Sequence, residues 1–436
     1  MNYQKFEKLQ KYYLGEPVDP AIFKQGRSLG IADYSSLASC EGGGSGTDPE
    51  PAYFYRMIQK GYFCDGYEKY IKYVKQYAPY SDGPWNDVVP EEYIVGDLIE
   101  YNSQDCGYVP PTASTYLTFE FLEDGTMDFH IDVYSTENVQ YRKNEGVWTS
   151  YSNGTTINGV SGDKIEWKGN WKSQQTSSHY NHFNSNYRYK IYGNPSSLLN
   201  GDNFANITDL SDYSYTFYRL FSGSKVVDAA GLVLPATTLI YNCYDSMFRG
   251  CTSLVSAPSL PATTLMLNCY QYMFQGCTSL VSAPSISATT MGYQSCYHMF
   301  DGCTSLVSAP SLLATTLNEG CCSYMFADCT SLVSAPALPA TALARTCYAS
   351  MFRGCTSLVI APTLPAQILE KLCYSYMFYG CNLLNHVGCM ASEFGTNSTQ
   401  QWLYHVASNG TFVKATGSTW NTGASGIPTN WTVIET

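Results

Sequence analysis

Residues 247–258 read Met-Phe-Arg-Gly-Cys-Thr-Ser-Leu-Val-Ser-Ala-Pro, and the frame Met-Phe-x-x-Cys-x-x-Leu returns at 273, 299, 325, 351 and 377. The interval is 26 residues each time. Self-similarity at a fixed period of about 20–50 residues marks a solenoid, whose units bury their apolar faces only by stacking. Phe248, Phe274, Phe300, Phe326, Phe352 and Phe378 form one predicted core ladder. Cys251, Cys277, Cys303, Cys329, Cys355 and Cys381 form a second. The full unit reads L-P-A-T-T-L-x3-C-Y-x2-M-F-x-G-C-T-S-L-V-S-A-P-x, in six copies from about Leu234 to Cys389.

Within one unit, Cys243, Met247 and Cys251 are spaced by four, which places them on one stripe of a two-turn helix. Gly250 stands where such a helix would stop, and Gly276, Gly302, Gly354 and Gly380 repeat it, with Asp328 as the exception. Leu254–Ala257 reads as a short strand ended by Pro258, which has no N–H for a sheet ladder. The expectation is therefore a β/α solenoid. Phe378, in the last copy, is expected to matter less than the central Phe300, because it has fewer packed neighbours.

The unit resembles the leucine-rich repeats of BspA-type bacterial surface proteins. The matching residues are Cys251–Leu254 as C-x-x-L, Leu260-Pro261, and Met273-Phe274 at the A-F position. The usual unit of that family is shorter, nearer ~23 residues, within the range typical of leucine-rich repeats. The resemblance implies a curved leucine-rich-repeat solenoid and an adhesive or binding role, without naming a ligand. Both ends read as atypical units. Leu220-Phe221-Ser222-Gly223 echoes the repeat without its cysteines, giving a degenerate first rung from 207, and Trp402, Trp420 and Trp431 anchor a cap over 392–436.

Ahead of the solenoid (207–391) the sequence divides into a turn-rich unit over 1–40, a Gly-rich linker over 41–52, a small β-rich module over 53–109 and an all-β, sandwich-like domain over 110–206. In the last, Leu117, Phe119 and Phe121 alternate, Asp124-Gly125 follows, and Phe129, Ile131 and Val133 alternate again, which reads as a hairpin. The segments Gly15–Cys40 and Val88–Cys106 resemble modules of tail fibres or adhesins of phages and prophages of gut Bacteroidales. That resemblance implies attachment of residues 1–40 to other tail proteins of a virion.

The chain of 436 residues carries a net charge of -12 and no basic run, so nucleic acid is not an expected partner. No run of 18 apolar residues exists and the first twenty residues hold no apolar h-region, so neither membrane insertion nor an export signal is expected. Fourteen of the 17 cysteines lie between Cys243 and Cys389. One ladder runs Cys243, Cys269, Ser295, Cys321, Cys347, Cys373, and the serine would orphan a thiol if the ladder paired. Buried free thiols are the expectation there, while Cys64 and Cys106 are a disulfide candidate.

Catalytic signatures are missing. His179 and His182 have i,i+3 spacing but lie in a Ser/Asn/Tyr-rich stretch without the further ligands of a closed site, so no metal and no cofactor are expected. Glu120, Asp128 and Asp132 would have to share a cleft for a glycan depolymerase, and strand alternation explains them as solvent-facing. The copies vary instead at Tyr241, Tyr272, Tyr293, Tyr297, His298 and Arg345, a Tyr-rich stripe suited to receptor contact. The expected function is a non-enzymatic receptor-binding protein of a virion tail, recognising a bacterial surface glycan or protein, with a homotrimer as one assembly state. The alternative is an exported BspA-type adhesin at the bacterial surface, and a depolymerase is third.

Overall fold

The computed structural model describes the strand backbone within 54–100 (54–65, 68–78, 86–87 and 93–100) and, with side chains, residues 112–132, 138–171 and 175–436. The unit over 1–40, the linker, Cys106 and the side chain of Cys64 lie outside the residues so described. The chain divides into two compact units between Pro110 and Pro111. In the first, β1 (Phe54–Asp65), β2 (Glu68–Ala78), β3 (Asn86–Asp87) and β4 (Tyr93–Glu100) form one antiparallel sheet, with β2 paired to the other three.

The second unit opens with two sheets. β5 (Leu117–Phe121), β7 (Val139–Lys143), β8 (Thr149–Ser150), β10 (Lys164–Gly169), β12 (Tyr189–Gly193) and β13 (Val226–Leu232) make a six-stranded sheet in the order β13-β12-β5-β10-β7-β8. β6 (Gly125–His130), β9 (Ile157–Gly159) and β11 (His182–Ser185) make a second, in the order β11-β6-β9. The expected hairpin is thereby corrected. β5 pairs with β10 and β12, whereas β6 pairs with β9 and β11, so the chain crosses from one sheet to the other at Asp124-Gly125. The alternation was real, but it describes two strands whose rings meet between sheets. Phe119 and Phe129 both pack on Phe183, at ring centroid distances of 4.6 and 4.3 Å. At the crossing, a Cβ on Gly125 would lie 2.2 Å from the Tyr187 ring, which leaves room only for glycine.

A solenoid of about seven coils follows, with almost no helix. It is grafted onto the six-stranded sheet, because β13 runs parallel to β12 and its Asp228 bridges to Ser256 of the next coil. Among the described residues the α-helix is the single turn Ser197–Asn200. The two-turn helix expected at Cys243–Cys251 is therefore absent, and the main-chain hydrogen bonds show why. Asn242, Ser246 and Gly250 have φ of 58°, 58° and 73°, so every fourth residue is left-handed and stops an α-helix before it closes. The segment is a chain of successive four-residue turns. The N–H groups of Met247, Arg249 and Cys251 close turns onto Tyr244, Ser246 and Phe248, at 3.3, 3.0 and 3.1 Å. Those of Tyr244, Ser246, Phe248 and Gly250 instead reach the carbonyls of Cys269, Gln271, Met273 and Gln275 on the next rung, at 3.1, 2.8, 2.9 and 2.7 Å. A helix would spend all these donors on itself. A turn of period four buries the same i,i+4 stripe and leaves half the donors to hold the neighbouring rung.

The core is a stack of rings. Phe248, Phe274, Phe300, Phe326, Phe352 and Phe378 are all fully buried, each 5.5–5.7 Å from the next and within 8° of parallel. The stack does not end in solvent. Phe221 lies 5.3 Å from Phe248 and, on its other side, 5.9 Å from Phe183 between the two sheets. At the far end Phe378 meets Trp402, which stacks on Trp420 at 5.5 Å. Trp402 is fixed by its own indole N–H, donated to the Gly426 carbonyl at 2.9 Å.

The fourteen thiols between Cys243 and Cys389 are buried and free. Those of Cys277, Cys303, Cys329 and Cys355 each donate to a phenylalanine carbonyl of the preceding rung (Phe248, Phe274, Phe300 and Phe326), all at 3.1 Å. That contact needs the protonated thiol. Burial raises the Cys251 thiol to about 11 and the Cys381 thiol to about 12, far from the thiolate that reacts.

Two measurements follow. Phe300→Ala should cost about 3–5 kcal/mol in urea unfolding. Phe378→Ala should cost as much, because Trp402 packs against its outer side as a further rung would. Intact-mass alkylation without reductant should leave the fourteen cysteines between Cys243 and Cys389 unlabelled in the folded chain and label them once it is denatured; a requirement for reductant would contradict the free-thiol ladder.

Candidate binding face

The left-handed position in the middle of the turn segment is Ser246, Tyr272, His298, Tyr324, Ser350 and Tyr376 in successive rungs, with φ between 52° and 58°. In this column Tyr272, His298, Tyr324 and Tyr376 are partly exposed at one edge of the turn-side face, while Ser246 and Ser350 are covered. Its three central members are rings in register. His298 lies between Tyr272 and Tyr324, at 5.3 and 4.3 Å, nearly parallel to both. Tyr297 closes the cluster edge-on, against Tyr272, His298 and Tyr324. The Arg249 guanidinium sits 5.1 Å above the Tyr272 ring, a cation–π contact.

Polar groups set the orientation of these rings. Nδ1 of His298 lies 2.7 Å from the Asp301 carboxylate, and the same oxygen accepts the Gln275 amide at 2.8 Å. Oε1 of Gln275 is buried without a hydrogen-bond partner. Burial raises the phenols of Tyr272 and Tyr297, so these two hydroxyls act as neutral donors and acceptors at physiological pH.

The six contact residues proposed from sequence are thus placed differently from one another. Tyr272, Tyr297 and His298 come together. Tyr241 belongs to a neighbouring group, edge-on to Tyr215, which packs on Tyr218, and Arg219 lies over the Tyr218 ring. Tyr293 stands in the Tyr241 column and is 40% exposed, against 45% for Tyr241. Arg345 is tied to Glu319 of the preceding rung at 2.7 Å. Tyr324 and Arg249 belong to the cluster and were missed. Tyr324 was within reach, since it occupies the same repeat position as Tyr272 and His298. A third aromatic group, Tyr376, Tyr379 and Tyr404 with Arg353 over the Tyr379 ring, continues the face toward the C-terminus.

The remaining candidates do not converge. Glu120 belongs to β5 in the six-stranded sheet, while Asp128 and Asp132 lie on or just beyond β6 in the other. His179 pairs with Asp132 at 3.2 Å, and His182 faces His130 across the β6–β11 pairing. Among the described residues no three His, Cys, Asp or Glu side chains are grouped to hold a metal ion. Comparison with family models, with curated proteins and with solved structures returned no match.

One carboxylate of the face is buried. Asp245 accepts from the Asn242 amide at 2.9 Å and from the Ser246 hydroxyl at 2.7 Å. Burial nevertheless raises its pKa from 3.8 to about 6, against the pull of those two bonds and of Arg219 and Arg249. A folded pKa above the unfolded one means that the unfolded chain ionises first. Stability is therefore lost as pH rises from about 4 to about 6, by roughly 3 kcal/mol for this group. Asp245→Asn should gain stability relative to wild type over that window in urea melts at the two pH values. A difference that stays constant with pH would remove Asp245 as the cause.

Proposed function

We propose that this chain is a non-enzymatic binding protein whose turn-side aromatic face contacts a bacterial surface glycan or protein. The observation that carries the reading is the cluster of Tyr272, Tyr297, His298 and Tyr324, flanked by Arg249 and Asp301. Rings held rigidly by the rung hydrogen bonds supply contact area at little entropic cost, and the adjacent charged groups supply orientation. We take the solenoid as a leucine-rich-repeat array of 26-residue BspA-type units and the two-sheet module before it as sandwich-like. On the sequence resemblance, the chain acts in a virion tail as a fibre or distal adhesin, joined to other tail proteins through residues 1–40. Display in several copies on one particle would raise avidity beyond one weak face.

A second reading, an exported BspA-type adhesin at the bacterial surface, rests on the same repeat and would use the same face. Immunogold labelling of virions and of cells separates the two. The depolymerase is held third, because Glu120 sits in a different sheet from Asp128 and Asp132.

The test is binding of the full chain to host cells. Tyr272→Ala with Tyr324→Ala removes two rings worth about 1 kcal/mol each, and binding should weaken about thirty-fold. Neither ring is part of the core stack, so circular dichroism and melting should be retained. Undiminished binding by the folded double variant would sink the assignment of this face.

A further inference from the structure

The opposite half of each rung is chemically unlike the aromatic face. The stretches 252–264, 278–290, 304–316, 330–342 and 356–368 contain no Asp, Glu, Lys, Arg or His. All charges of the coils between 234 and 371 lie in the turn half. On this uncharged half, Val281, Val307, Val333, Val359 and Ile360 are 39–58% exposed. The valines stand in register, since the Val307 N–H bonds the Val281 carbonyl and the Val333 N–H the Val307 carbonyl, both at 3.1 Å. The adjoining Ser282, Ser308 and Ser334 are bridged in parallel. The result is an aliphatic stripe with hydroxyls along one side, crossing four coils.

We propose that this stripe is a self-association surface, on which two copies of the chain pack antiparallel about a two-fold axis between Val307 and Val333. Three features favour a second copy over another occupant. The first is periodicity: the stripe repeats at the rung spacing, seen as 5.5 Å between successive core rings, and a second copy matches that spacing at every coil. A partner of another period would fit at one or two coils. The second is charge. A chain carrying -12 meets its copy with least repulsion over a face that has no ionised groups, and interface cores are depleted of charge in the same way. The third is closure. A two-fold axis there sets Val307 against Val333 and Val281 against Val359, so the contact is self-complementary and stops at two.

The contact is small. Four rungs at about 5 Å give a strip roughly 20 Å long, and roughly 20 Å of extended chain gives its width. That is about 800 Å² over both copies, in the range of weak, transient contacts, so the dimer should be weak and concentration-dependent.

Sedimentation velocity of the full chain, from low to high micromolar concentration, tests this. Wild type should shift from monomer to dimer. Val307→Asp with Val333→Asp sets four carboxylates around the axis and should weaken the dimer by about a hundred-fold or more, leaving monomer throughout. Tyr272→Ala with Tyr324→Ala, on the other half of the rung, should leave the dimer intact. If the aspartate pair perturbs the circular dichroism, Val307→Ser with Val333→Ser gives the same reading with a residue the stripe already carries. The proposal is overturned by a wild type that is monomeric at every concentration, by a trimer, or by a dimer that survives the substitutions in a folded chain. A monomeric wild type whose aspartate variant loses cell binding would assign the stripe to a receptor instead.

Discussion

Everything in the solenoid depends on one backbone constraint, a left-handed residue at every fourth position of the turn segment. It stops a helix from closing after Asn242, Ser246 and Gly250, and so turns half of the N–H groups toward the next rung. Two consequences follow from the same geometry. The two residues after each of the first two left-handed positions, Cys243 with Tyr244 and Met247 with Phe248, face inward and meet their counterparts one rung away. At the middle left-handed position the rings of Tyr272, His298 and Tyr324 are partly exposed and stack on the surface from rung to rung. A left-handed conformation is costly for a non-glycine residue, roughly 1–2 kcal/mol in a helical context. The rung-to-rung hydrogen bonds and the buried rings between them offset that cost.

The ring stack also explains how three differently built segments form one compact unit. A repeat array needs its end faces covered, and here both covers are aromatic. Phe183, between the two sheets, extends the stack beyond Phe221, and Trp402 with Trp420 extends it beyond Phe378. The main chain follows the same logic. β13 is at once the edge of the six-stranded sheet and the start of the solenoid's strand side, so sheet and coils share a ladder as well as a core.

The solenoid and its core ladders were legible because identical residues recurring at a fixed interval have few physical explanations. The conformation inside the period was not. Cys243, Met247 and Cys251 satisfy a helix and a chain of four-residue turns equally well, since both return a side chain to the same face after four residues. The discriminating signal lay at Asn242, Ser246 and Gly250, spaced by four, where two residue types tolerant of the left-handed region accompany a serine. Gly250 alone reads as a helix stop. The crossing at Asp124-Gly125 failed for a related reason: alternation reports which residues face a core, not which strand lies alongside. For the binding face, comparing copies located the right region, and Tyr324 was overlooked because it was not compared with Tyr272 and His298.

The thiols complete the account of why a rung is built as it is. The carbonyl of Phe248 already accepts the Cys251 N–H at 3.1 Å and has a second lone pair turned toward the next rung. A side chain at position 277 must therefore be small and apolar enough to pack beside the rings, yet able to offer a proton. Cysteine meets both demands, donating at 3.1 Å while remaining fully buried. Alanine would leave the lone pair unmet, and valine would add a branch without a donor. The two central rungs show how closely this packing is balanced. Where Tyr270 and Tyr348 have Cys296 and Cys322 as counterparts, the lost volume is met by Met291 in place of the usual leucine, with its sulfur 3.1 Å from that of Cys322. A long, pliable thioether reaches where a branched leucine could not, so the coil keeps its spacing across a place where its largest flanking ring is missing. Spacing is what the aromatic face and the valine stripe both inherit: each is a surface copy of a regularity enforced inside.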